Sequence, residues 1–146
     1  MSERAHVLIV AHKTATTDAL LEAVRHRAHT GPATFHLLVP RQAHGLHRVV
    51  DPQDSGDEEA VGVIVAALPR LTEAAGSEVT GSLGDSEPLA AIQDAVNLDD
   101  FAEIIISTLP LGMSRWLRLD LVSKTRGLGL SVTHVQQHTQ EPAPAG

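Results

Sequence analysis

The sequence predicts an α/β fold, a doubly wound, Rossmann-like, five-stranded parallel sheet with helices on both faces. Three observations carry this. Short apolar runs alternate with longer amphipathic stretches along all but the ends of the 146-residue chain. The runs His6-Val7-Leu8-Ile9-Val10-Ala11 and Ile104-Ile105-Ile106 are continuous and largely β-branched, as in strands buried on both faces. Five strands alternating with four helices imply right-handed βαβ crossovers and strands that run parallel.

Each element has a local cause. The first strand ends near Ala11, and Thr16 or Thr17 offers an N-cap to a helix carrying Leu20, Leu21 and Val24 to about His29. Gly31-Pro32 stops that helix, and Phe35-His36-Leu37-Leu38-Val39 forms the second strand, closed by Pro40. The stretch 41–56 is rich in turn residues and reads as a functional flap or mobile segment. Asp57-Glu58-Glu59 suits the positive end of a helix dipole. That helix runs through Val61, Ile64, Val65, Leu68 and Leu71 to Gly76, and Pro69 inside it is expected to produce a kink.

Residues 78–83 are a weaker, more polar strand, expected at a sheet edge. Pro88 opens a third helix with Leu89, Ile92 and Val96 on its buried stripe. The strongest strand signal lies within residues 101–108, and a fourth helix is expected from Ser114 to about Arg126. Ser131-Val132-Thr133-His134-Val135 is the last strand. One domain over residues 1–137 and a disordered tail over 138–146 are the expected organisation, with no internal repeat.

Composition excludes several functions. Eleven lysines and arginines against eighteen acidic residues leave a net charge of −7, and the chain holds one Trp, two Phe and no Tyr. A nucleic-acid partner would want phosphate-neutralising and base-stacking residues that are scarce here. There are no cysteines, hence no disulfide and no thiolate chemistry. No apolar run reaches a membrane-spanning length and no secretory signal opens the chain, so a cytoplasmic location is expected.

In a doubly wound sheet, ligands bind beyond the carboxyl ends of the strands at the topological switch point. That rule selects the loops 12–17, 39–47, 84–88 and 107–115. Ser114 and Arg115 are an anion-site candidate, since a helix N-terminus and a guanidinium both favour negative charge, with Ser107 and Thr108 alongside. Ser114 as an ordinary cap before a solvated arginine is the plain alternative. His12 sits at a strand end pointing into the same crevice and is a candidate for ligand contact or for titration near neutral pH, with a plain loop histidine as the alternative. His36 and His134 lie mid-strand, where hydrogen-bonded core-edge histidines are expected. His26 with His29, and His44 with His47, are paired at metal-ligand spacing, yet neither pair has an obvious third partner, and zinc wants roughly three or four. Trp116 is expected to be a packing anchor. No Gly-x-Ser-x-Gly elbow, Walker loop or Gly-x-Gly-x-x-Gly is present, so catalysis is not expected.

The pattern resembles the universal stress protein family over nearly all of residues 5–136. Val7-Leu8-Ile9-Val10-Ala11 is similar to that family's first strand, and Phe35-His36-Leu37-Leu38-Val39 to its second. Gly84-Asp85-Ser86-Glu87-Pro88 with Ile92 and Ala95, Ala102-Glu103-Ile104-Ile105-Ile106, and Gly112-Met113-Ser114-Arg115 resemble its later segments. The resemblance implies a sheet of order 3-2-1-4-5 and a homodimer through the strand at 131–136, while the candidate ligand contacts selected by the switch-point rule are His12, Val39, Ser107, Thr108, Ser114 and Arg115. ATP-binding members carry an Asp where this chain has His12, and a glycine-rich loop where it has Thr108 and Leu111. The expectation is therefore a regulatory or sensor binding protein that does not hold ATP in the family's usual way. The alternative is a nucleotide- or phosphate-ligand binder using Ser114, Arg115 and His12, and the cofactor is left open.

Overall fold

A computed structural model of the chain describes residues 4–41, 57–110 and 114–136. The expected flap (from residue 42), Leu111, the His44 and His47 pair, and the expected tail lie outside the described residues. In chain order the elements are β1 (Ala5–Val10), α1 (Asp18–Thr30), β2 (Ala33–Pro40), α2 (Asp57–Ala75), β3 (Thr80–Gly84) and α3 (Pro88–Leu98). Then follow β4 (Glu103–Thr108), α4 (Arg115–Arg118), α5 (Leu121–Arg126) and β5 (Ser131–Gln136). The five strands form one parallel sheet of order β3-β2-β1-β4-β5.

The alternation of side chains along each strand divides the core in two. Val7 and Ile9 of β1, with Phe35, Leu37 and Val39 of β2, pack with Leu20, Val24 and Leu71 from α1 and α2. Leu8 and Val10, with Leu38, Ile104 and Ile106, pack with Ala91 and Ile92 of α3 and Leu121 and Val122 of α5. The central run Val7 to Val10 has no solvent exposure, which explains why it shows no polar alternation.

The chain winds from β1 outward through β2 to β3, then returns to β4 on the other side of β1. The switch point therefore lies between the carboxyl ends of β1 and β4, where Val10 is paired with Ile106. Thr17 caps α1, its hydroxyl accepting from the Leu20 amide at 3.4 Å. The helix α2 runs unbroken past Pro69, which faces solvent, so the carbonyl left without a donor can be hydrated there. At the end of β3, a Cβ on Gly84 would come within 2.8 Å of both Ala91 Cβ and Leu38 Cδ1. This close approach seats the start of the 84–88 loop beside β2.

The expected helix from Ser114 to Arg126 is broken. Asp120 adopts a left-handed conformation (φ 58°, ψ 39°) and separates the single turn α4 from α5. Aspartate tolerates that region better than most residues with a Cβ, and helical periodicity does not reveal such a break.

A candidate ligand-binding cleft at the switch point

The turn after β1 is built by its own backbone and hydroxyls. Ala15 N–H donates to the His12 carbonyl at 3.1 Å, and Thr17 donates to the Thr14 carbonyl from both its amide (3.2 Å) and its hydroxyl (2.9 Å). Thr14 Oγ1 and Ser107 Oγ are 2.6 Å apart and both residues are buried, which ties this turn to the end of β4. On the other side, the Arg41 amide and its Nη1 each donate to the Gly84 carbonyl at 3.0 Å and join the ends of β2 and β3.

These loops enclose a cleft of about 230 Å³. Its walls fall into three chemical kinds. Lys13, Arg41 and Arg115 supply positive charge, and no carboxylate lines the cleft among the described residues. Thr14, Ser86, Ser107 and Ser114 supply hydroxyls, while Pro40, Leu109 and Trp116 form an apolar wall. In a chain of net charge −7, this is a locally cationic hollow. Its ligand would bear negative charge and some apolar or planar surface.

His12 is the unusual member. Both ring nitrogens are shut off from solvent, and neither has a hydrogen-bond partner among the described residues. Burial lowers its pKa from the ordinary 6.5, Glu59 of α2 opposes that shift, and the Lys13 charge adds to it. Burial therefore favours the neutral imidazole, which has one donor and one acceptor nitrogen without partners among the described residues.

Of the residues expected at the site, the cleft brings together His12, Ser107, Ser114 and Arg115. Val39 does not line it. Its side chain is fully buried in the core under α1 and α2, because strand alternation turns it to that face, and the next residues, Pro40 and Arg41, reach the cleft instead. Thr108 does not line it either, and its hydroxyl is 2.8 Å from His134 Nε2 of β5. The contribution expected of a helix N-terminus is also reduced. Ser114 Oγ does accept from the Leu117 amide at 3.1 Å, but it caps a helix of four residues, whose dipole is small. The positive character of the cleft comes mainly from its side chains.

Lys13, Thr14, Pro40, Arg41, Ser86 and Leu109 lie within the loops that the switch-point rule selects, yet they carry no motif that would single them out. Trp116 is half-buried, packs against the core beside α3 and α5, and also faces the cleft. It combines the anchoring role expected of it with a place in the site. His26 and His29 are exposed, and no group of three or more potential metal ligands occurs among the described residues.

Comparison with solved structures shows the same architecture. A universal stress protein from Archaeoglobus fulgidus superposes with a TM-score of 0.64 at 16% identity, over 90% of this chain and 93% of that one. The fold is that of the universal stress proteins. A universal stress protein family protein from Arabidopsis thaliana with AMP bound matches at 12% identity and TM-score 0.62, over 95% and 96% of the two chains. The A. fulgidus universal stress protein in complex with dAMP matches at 18% identity and TM-score 0.57, over 93% and 98%. No protein-family model and no curated protein matches the sequence. The universal-stress fold is thus kept here by a sequence far from those of its structural neighbours.

Proposed function

We propose that this chain is a universal-stress-like regulatory or sensor protein that works by binding a small phosphate-bearing ligand at the switch point. A nucleoside monophosphate is the favoured class. The observation that carries the proposal is the cleft itself, with three cationic side chains and no carboxylate beside a wall of Pro40, Leu109 and Trp116. Charge suits a phosphate and the wall suits a base. Structural neighbours were solved with AMP and with dAMP.

Binding is favoured over turnover. The hydroxyl of Ser107 is engaged with Thr14 and that of Thr108 with His134, so neither is paired with His12 as a nucleophile would be with its base. No helix among the described residues is long and apolar enough to cross a membrane, and a cytoplasmic protein of one domain over residues 1–137 remains our reading.

Thermal unfolding with AMP and with inorganic phosphate tests the proposal. AMP at a hundredfold excess over its dissociation constant should stabilise the native chain by about 2.7 kcal/mol. Arg115→Ala should weaken AMP binding by about tenfold or more, the effect of losing a charge-assisted hydrogen bond. A melting temperature unmoved by millimolar AMP and phosphate would sink the proposal.

We further propose a homodimer through β5. Among the described residues it pairs only with β4, so its outer edge is where an antiparallel copy would add. A Val132→Pro chain should sediment as a monomer, and a folded variant that stays dimeric would contradict this.

A further inference from the structure

We propose that His12 is an anion-responsive binding residue of the cleft, whose imidazole takes up a proton from solvent when a phosphate-bearing ligand enters and whose imidazolium then holds the ligand's oxyanion. This rests on the phosphate-ligand reading above and deepens it by naming a residue and a linked proton.

The geometry points there for three reasons. First, both nitrogens of the half-buried His12 ring are shut off from solvent and lack partners among the described residues, whereas the half-buried histidines of the sheet, His36 and His134, are bonded. His36 lies 2.7 Å from Thr80 Oγ1 and 2.8 Å from Ser82 Oγ, and His134 lies 2.8 Å from Thr108 Oγ1. An imidazole with two unanswered nitrogens inside a cleft awaits a partner that the protein's described residues do not supply.

Second, burial disfavours the charged form of the ring, and the nearby charges only modulate that effect. The Glu59 carboxylate of α2 opposes the effect of burial, Lys13 on the same turn adds to it more weakly, and Arg41 and Arg115 line the same cleft. A protonated His12 would be a further cation in an already cationic hollow that has lost part of its solvent. Third, an anion in the same small volume reverses that balance. It offsets the cost of burying the charged ring and the repulsion from Lys13, and its oxygens accept from the N–H groups of the imidazolium. Binding and protonation then support one another, so ligand occupancy rises as the pH falls toward the acid side of neutral.

Calorimetric titration of the full chain with AMP near about pH 7, in buffers of different ionisation heat, counts the protons exchanged. The expected result is an uptake of roughly a third of a proton or more per AMP. His12→Gln should bind AMP severalfold more weakly and lose that uptake, which also subtracts any proton carried by the ligand's own phosphate. Adenosine, which has no phosphate, should bind without uptake. Wild-type binding of AMP with no net uptake, or a His12→Gln chain that keeps all of it, would overturn the role of His12 and leave the cleft reading intact. Failure of the wild-type chain to bind either AMP or inorganic phosphate would overturn the cleft reading, and the role of His12 with it.

Discussion

His36 lies within β2 and His12 just past the end of β1, and burial lowers the pKa of both from 6.5. They differ in what surrounds the ring. His36 bridges two strands, with Thr80 at one nitrogen and Ser82 at the other, and its ring lies 6.3 Å from that of Phe101. His12 has no such partners among the described residues. One half-buried imidazole is saturated by the scaffold and the other is left open toward a cleft. The contrast separates residues that hold the fold from residues that the fold presents, and it does so where burial and pKa direction alone would class them together.

Replacement of each ring sharpens the comparison. His36→Ala removes two hydrogen bonds across the β2–β3 pair and should destabilise the chain by about 1–3 kcal/mol in denaturant unfolding. His12→Ala removes no protein hydrogen bond and should change stability by only about 0.5 kcal/mol in either direction. Equal costs at the two positions would break the distinction between scaffold and site.

A smaller effect concerns pH. His12, His36 and His134 all have folded pKa values lowered by burial, so the unfolded chain takes up their protons first as the pH falls. The stability they contribute is complete above about pH 6.5 and is lost as the pH falls through the folded values. Denaturation midpoints measured from neutral to mildly acidic pH should therefore decline, and the decline should be shallower in His36→Gln. A midpoint that rises on acidification in the absence of ligand would have the wrong sign for this account.

The fold was legible in the sequence because its cause is repeated in every element. Unbroken apolar runs at β1 and β4 marked strands covered on both faces, and the polar character of residues 78–83 marked β3 as an edge. The site was legible at a coarser scale. The switch-point rule selected four loops, and the lining residues all lie in them except Trp116, one position beyond. Which side chains enter the cleft depends on strand phase, and for this reason Val39 is lost to the core while Pro40 and Arg41 are gained. The left-handed Asp120 was not legible, since a single backbone torsion leaves the apolar spacing on both sides intact. The bond between Thr108 and His134 joins residues 26 apart in the chain, and only the pairing of β4 with β5 brings them together.

The most direct measurement is the response of the histidine ring resonances to AMP, followed by NMR in the full chain. The account predicts that the His12 ring signals move saturably as AMP is added and that those of His36 stay in place. A His12 signal that does not move at saturating AMP, or a His36 signal that moves equally, would contradict the assignment of the unsatisfied ring to the binding site.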